Sequence, residues 1–542
     1  MPANSARQRW CSILVTSSRP GLVLEVDRRT PPVLFHYGEG FRLERLPTGS
    51  RIVYPPEPVE PIEQPEAAIA KALDEPHNAD PLRAKLRPGM QLTIAFDDIS
   101  LPLPPMRAPD ARQLVLERVL TLAAEAGVDD VEIVAANSLH RRMTETEIRH
   151  MVGERVFRAF WPDRLRNFDA EDPDDVVFVG NTDHGEEVEL CKRAMESDLL
   201  VYSNINLVAM DGGHKSVPVG LGTYRSLRHH HNVGTLLESK SYMHPEKSAL
   251  HQSANRMGKF LADKLDIFTV ETTLNNDAFP SPYDFLQKRE FEWSFRDQAS
   301  YLAVTEGLKR MPEGLRQRLF RSIQAPHAIA SVQAGETEAV HASTLDHLHK
   351  QQVVPVEGQA DVLTVGIPYV GPYNVNSIMN PILVVCMGLG YFFNLYRNAP
   401  LVRKGGVMIV AHPTRREFHP VHHPSYIDFF DVVLADSTEP KIIEEKFEKQ
   451  FAEDEWYRHL YRTSYAYHGV HPFYMWYWAA HAMDHLGDVI FLGADPEVVS
   501  RLGFRTATTM RDALEMASET VGRRPSITHL HCPPLFLPEV TP

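Results

Sequence analysis

Residues 198–231 read DLLVYSNINLVAMDGGHKSVPVGLGTYRSLRHHH. The apolar run Leu199, Leu200 and Val201 reads as a buried strand. It opens into a loop with paired glycines, Gly212 and Gly213, followed directly by Lys215. Gly220 and Gly222 follow, then a helix-like segment that ends in His229, His230 and His231. A strand that opens into a glycine loop suits a phosphorylated ligand, because exposed backbone N–H groups can face the anion. A lysine there is a point charge for phosphate or a nucleophile. Histidines one helix later are potential metal ligands. On a helix, consecutive side chains point about 100° apart, so at most one of the three faces a given site. The spacing is not GxxxxGK[ST], which argues against nucleotide hydrolysis.

Working upstream, QLTIAF reads as a strand ending in Asp97 and Asp98, with prolines after it that block a helix. Asp110 caps the helix ARQLVLERVLTLAAE. VDDVEIVAANS is the next strand and leads into Leu139-His140-Arg141, after which Thr144 and Glu147 form a capping-box pattern. DVVFVG reads as a strand and EEVELCKRAMES as a helix. Strand and helix alternate four times, which predicts an α/β fold with a largely parallel sheet. Functional loops then belong at the carboxyl ends of the strands, where Asp97, Asp98, His140 and Lys215 all fall.

Downstream, DIFTVETTLNN closes the first region and residues 286–350 look helical. A second α/β region starts at ADVLTVGIP and includes the strands GGVMIVAHP, VVLAD, DVIFLG and ITHLHCPP, with an unstructured tail. The expected organisation is an extension and proline-rich connector over 1–85, an α/β domain over 86–285, a hinge over 286–350 and a second α/β domain over 351–542. An active-site cleft is expected between the two domains.

With 542 residues, the chain is long enough for two or three domains. A net charge of -15 argues against nonspecific binding to nucleic acid or to an anionic membrane. Cys11, Cys191, Cys386 and Cys532 lie far apart without a CxxC pair, which speaks against a disulfide scaffold or a structural zinc site. The N-terminus lacks the apolar core of a signal peptide, so a cytoplasmic protein is expected. The uncharged stretch 377–396 is long enough to span a bilayer, but Asn380, Pro381 and Asn394 favour a buried core helix.

His140 stands where a general base can act near neutral pH, or where a loop histidine bonds a helix end. Asp97 and Asp98 can hold metal, ribose hydroxyls or a cation, or simply form an acidic turn. His412, His419, His422, His423 and Asp428 form a second cluster without HExxH spacing, usable as a hydrolase metal site or an active-site lid. The aromatic run 471–478 reads as core or domain interface, with a substrate pocket as the lesser alternative.

The ordered set DDIS-Pro, SLHRRMTETEI and GGHKSVPVG, with His231 sixteen residues beyond Lys215, resembles the nickel-dependent lactate racemase family. The resemblance is clearest over residues 88–235. It implies a two-domain α/β isomerase. Its cofactor would be a nickel pincer, pyridinium-3,5-bisthiocarboxylic acid mononucleotide, tethered to Lys215 and supplied by cofactor-synthesis proteins. It implies His231 as the nickel ligand, His140 as a base, and Asp97, Asp98, Gly212 and Gly213 at the cofactor. A 2-hydroxy acid would lose its hydroxyl proton to histidine and its C2 hydride to the cofactor, then take the hydride back on the other face.

Three positions depart from the family pattern. Ile205 stands where a second catalytic histidine is expected, ten residues before Lys215. Leu101 replaces an arginine that grips the substrate carboxylate, leaving Arg107 as the nearest cation in sequence. No lysine aligns between Tyr373 and Asn380. These departures favour a hydroxy acid larger than lactate or differently charged, an epimerisation, or a one-base redox reaction. A catalytically altered carrier or sensor is the alternative, and a hydrolase built on the 412–428 histidines is the third reading.

Overall fold

The computed structural model describes residues 23–541. Cys11 and the expectation about the N-terminal leader lie outside the described residues. The three other cysteines are free and buried.

The first sheet has six strands in the order Ile329–Gly335, Ile267–Leu274, Leu199–Asn206, Gln91–Asp97, Asp130–Ala136 and Leu165–Asn167. All neighbours are parallel except the edge strand Ile329–Gly335, which runs antiparallel to Ile267–Leu274. Every residue of Leu199–Asn206 is buried, as a central parallel strand covered on both faces requires. The helix Ala111–Glu125 starts where Asp110 accepts the Arg112 amide, and Glu145–Phe160 starts at the Thr144–Glu147 capping box. From Gln91–Asp97 the chain builds outward through Asp130–Ala136, then returns to place Leu199–Asn206 on the other side. The adjacent pair Gln91–Asp97 and Leu199–Asn206 is therefore the topological switch point, and the crevice beyond its carboxyl ends is where ligands bind in such sheets.

The second sheet has seven strands in the order Val23–Glu25, Arg51–Val53, Ile527–Leu530, Ala360–Gly366, Val402–Ala411, Asp488–Leu492 and Arg505–Ala507. It is parallel except for the antiparallel pair at the Val23–Glu25 edge. Two strands from the first 85 residues thus extend the sheet built by the last 190 or so, while Ile329–Gly335, from the stretch read as a hinge, completes the first sheet.

Several local expectations need correction. Glu187–Cys191 is a strand rather than the start of a helix. It pairs antiparallel with Val176–Asn181 across a turn in which Gly185 has φ +77, a left-handed conformation that glycine adopts without strain. VVLAD is helical: a wide turn over Phe429–Val433 runs on from Pro424–Asp428 and buries Phe429, Phe430 and Val433. The tail forms the strand Leu537–Thr541, parallel to Val353–Glu357. The uncharged stretch is a buried helix, Pro381–Val385 continuing as wide turns over Cys386–Phe392. No helix among the described residues is long and apolar enough to cross a membrane.

Candidate active site

Asp97 ends its strand at the switch point. Its carboxylate accepts the Ile205 amide at 2.7 Å and the Asn204 Nδ2 at 3.0 Å, clamping the ends of the two central strands together. Burial pushes its pKa up to about 7, against the opposing effect of the Ile205 amide. Arg112 Nη1 donates to the Asp97 and Asp98 carbonyls at 2.9 and 2.7 Å while its other nitrogens bind Asp110. The loop after the strand is thereby tied to the following helix.

The folded state holds the Asp97 proton more tightly than the unfolded chain, whose aspartates titrate near 3.8. Its contribution to stability is therefore full below about 3.8 and is lost as pH rises through about 7. Chemical denaturation of the wild type and Asp97→Asn at pH 4.5 and 7.5 should show the variant gaining relative stability at the higher pH.

Asp98 carries a different load. Its Oδ2 lies 2.7 Å from His140 Nδ1, and its Oδ1 accepts the Ser100 amide and hydroxyl. Burial alone would raise its pKa, but the charge and hydrogen bond of His140, with the two Ser100 bonds, hold it below the usual carboxylate value. An ionised carboxylate only accepts, so His140 donates Nδ1–H and keeps the lone pair on Nε2. Ser138, with φ +38, turns the chain between strand and histidine, and its hydroxyl donates to the Gly222 carbonyl.

Lys215 ends a short turn, Gly213–Lys215, that follows the strand Leu199–Asn206. Asp211 shapes the loop by accepting the Leu207 and Val208 amides at 2.9 Å. The lysine side chain is surrounded by protein but opens on a cavity, and no carboxylate forms an ion pair with it among the described residues. Burial pushes its pKa down, opposed by Asp211, Asp97 and Glu271, which favours the neutral, nucleophilic amine. Gly212 lines the cavity, but Gly213 does not. The Gly213 amide donates to Glu271 Oε1 at 2.7 Å, so it is turned inward rather than toward a ligand.

The helix Ala249–Ala262 backs this loop. A Cβ on Gly258 would sit 2.0 Å from the His214 carbonyl oxygen. Gly258→Ala should therefore push the lysine loop outward and cost about 1–3 kcal/mol, as overpacking does, measurable by denaturant titration.

Of the three histidines, only His231 lines the cavity. Its Nδ1 lies 2.6 Å from His230 Nδ1, which leaves Nε2 as the nitrogen available to a metal. The ring packs against Tyr474 and Trp478 at centroid distances of 5.1 and 5.7 Å. Burial, with His230, His140 and Lys215 nearby, drives its pKa well down, so the ring is neutral and able to ligate. His229 instead sits beside Glu187 at 3.7 Å.

The cavity has a volume of about 220 Å³. Asp97, Asp98, His140, Gly212, Lys215 and His231 line it from the first sheet's loops, and Tyr373, Tyr391, His471, Tyr474 and Trp478 from the second region. The aromatic run at 471–478 thus contributes to the pocket wall, the lesser of its sequence readings. Its signal was hidden because a wholly buried aromatic helix looks the same in sequence whether it faces core or cavity.

Other expected residues stay outside. Ile205 is fully buried and absent from the wall. Arg107 is exposed and also absent from it. In the 412–428 cluster, His422 bonds Ser377, His412 bonds Thr414, and Asp428 accepts from Tyr457. None of these residues lines the cavity, and among the described residues no group of three His, Cys, Asp or Glu side chains is placed to hold a metal ion.

A carboxylate-held histidine, a half-buried lysine and a half-buried histidine thus meet around one cavity at the carboxyl ends of the parallel strands of an α/β protein. Residues 37–244 match the family model of the lactate racemase N-terminal domain. Over these residues the chain is similar to the lactate racemase N-terminal domain. Its fold is similar to that of the lactate racemase apoprotein from Thermoanaerobacterium thermosaccharolyticum, with TM-score 0.60, 16% identity, and 94% of this chain and 99% of that one covered. A Thermotoga maritima protein of known structure aligns at TM-score 0.49 and 13% identity, over 89% of this chain and 100% of that one. No curated protein matches the sequence.

Proposed function

We propose that the chain is a racemase- or epimerase-type isomerase that inverts a hydroxyl-bearing carbon of a 2-hydroxy acid, using a nickel pincer nucleotide held by Lys215 and His231. The observation that supports this most is the convergence of His140, Lys215 and His231 on one cavity. The residues fit such a group: a half-buried amine that no carboxylate pairs with among the described residues, and an imidazole with Nδ1 occupied and Nε2 open to a metal. Nickel needs only one side-chain ligand when its cofactor supplies the other donors. When bound, the cofactor supplies a hydride acceptor and donor.

The chain's own groups do the rest. His140 Nε2 takes the hydroxyl proton, and Asp98 stabilises the imidazolium that forms. Leu101, Leu103, Phe279 and Met387 are among the wall residues, and among the described residues Lys215 is the only lysine or arginine there. This wall suits a substrate with a large apolar substituent, its carboxylate met by hydroxyl donors such as the bonded pair Tyr373 and Tyr391 rather than by a guanidinium.

The protein produced together with cofactor-synthesis proteins should carry nickel and a mass adduct on Lys215. Racemisation of a 2-hydroxy acid deuterated at C2 should retain the deuterium in both enantiomers. Zinc without an adduct, or loss of the deuterium to solvent, would overturn the reading. A carrier or sensor role is favoured by the absence of a base at Ile205; an adduct with ligand binding but no racemisation would support it.

A further inference from the structure

We propose that Tyr461 and Arg141 are positioning residues for His140, and that the backbone under this base is aimed by the second region rather than by the sheet whose loop carries it. This rests on the isomerase reading above, in which His140 takes the substrate's proton. Asp98 decides which ring nitrogen carries hydrogen; it does not fix the backbone from which the ring projects.

The first region holds the His140 loop at its two ends. Asn137 exchanges bonds with the Phe168 backbone, and the Met143 amide donates to Asn167 Oδ1 at 2.9 Å. Between those ends, Ser138, Leu139, Arg141 and Arg142 each bond the second region. The Tyr461 hydroxyl donates to the Ser138 carbonyl at 2.6 Å, and the His468 amide to the Leu139 carbonyl at 3.2 Å. Arg141 Nη2 donates to the Val375 carbonyl at 3.0 Å, and Arg142 Nη1 to the Arg462 carbonyl.

Two of these contacts are fully buried and leave little freedom. Tyr461 is the one buried residue of the helix Glu455–Thr463, and its hydroxyl also accepts the Ala170 amide at 3.1 Å. Arg141, 2% exposed, grips both Glu147 oxygens at 3.0 and 2.7 Å, a two-pronged geometry with one orientation. Glu147 Oε1 also accepts Asn376 Nδ2 at 2.9 Å, so the ion pair spans both regions. The loop that receives Arg141 also carries Tyr373, whose ring stands 5.1 Å from that of His140. The Tyr467 hydroxyl donates to the Tyr373 carbonyl at 2.8 Å. Base and substrate-facing hydroxyl are thereby tied to each other through Arg141 and Val375, and a shift of either contact moves one against the other. A misplacement of about 1 Å between reacting groups is enough to cost about 10²-fold in rate.

The test uses the full cofactor-loaded protein and racemisation of phenyllactate. Tyr461→Phe keeps the buried ring and removes only the hydroxyl; it should lower kcat by about 10–10²-fold and leave KM within about threefold. Arg141→Lys keeps the charge but not the two-pronged grip, and should show the same split. Arg458→Gln is the control: it loosens the same interface at the Arg458–Glu171 pair without touching the His140 loop, and should leave kcat within about twofold. An unchanged kcat in either positioning variant, or an equal loss in Arg458→Gln, would overturn the proposal. Should Tyr461→Phe fail to fold, Arg141→Lys decides. A second readout needs no cofactor. In ¹⁵N-histidine spectra of the cofactor-free chain, the His140 Nδ1 proton held by Asp98 should be protected in the wild type and in Arg458→Gln, and should exchange faster with water in both positioning variants. Equal protection in all four proteins would refute the assignment. A loaded wild type that racemises no 2-hydroxy acid refutes the functional reading instead, while the histidine signal still decides whether these residues hold the ring.

Discussion

Lys215→Ala is expected to give a folded protein with no covalent adduct, no bound nickel and no isomerase activity above background. Among the described residues the side chain is the sole lysine in the cavity wall, so none of its wall neighbours can take over the attachment. Its position is also electrostatically tuned. Burial lowers its pKa, and Asp211, Asp97 and Glu271 oppose that shift by favouring the charged amine. Lys215→Arg separates charge from nucleophilicity: it keeps a cation above the three carboxylates but presents a guanidinium that stays protonated. It should melt closer to the wild type than Lys215→Ala and still carry no adduct. Intact mass and metal analysis read the attachment, and thermal melting reads the electrostatics. An active Lys215→Ala enzyme would refute the assignment.

The second large effect concerns His140 and Asp98. His140→Gln removes a positioned base and should lower turnover of at least one enantiomer by about 10²–10⁴-fold. Asp98→Asn leaves the ring in place but removes the ionised acceptor that dictates which nitrogen carries hydrogen. An amide can donate to Nδ1, which shifts the proton to Nε2 and blocks acceptance there. The loss should therefore be of the same order as for His140→Gln, with substrate KM changed little. If Asp98→Asn lost only a few-fold, the pair would be structural and the base would lie elsewhere.

Much of the first sheet was legible because its signals are local. Strand lengths, the Asp110 cap and the Thr144–Glu147 box are decided by neighbours within four residues. The loop ends then place Asp97, His140 and Lys215 by the rule for parallel sheets. The failures have an equally physical cause. Glu187–Cys191 pairs with a strand in a hairpin, and VVLAD continues a helix begun at Pro424, so in both cases a partner or an upstream turn overrode the apolar pattern. The tail strand Leu537–Thr541 found its ladder on residues more than 180 positions away.

By itself the sequence determined the alternation of strands and helices, the caps, and which loops carry ionisable side chains, since all of these depend on contacts along the chain. Only the tertiary structure decided that strands from the first 85 residues extend the last sheet and that Gly213 turns its amide to Glu271. It alone also placed His471, from an aromatic helix 331 residues beyond His140, in the same cavity wall. Those outcomes depend on which faces meet when two sheets bury their helices together, a choice between surfaces distant in sequence that no local pattern encodes.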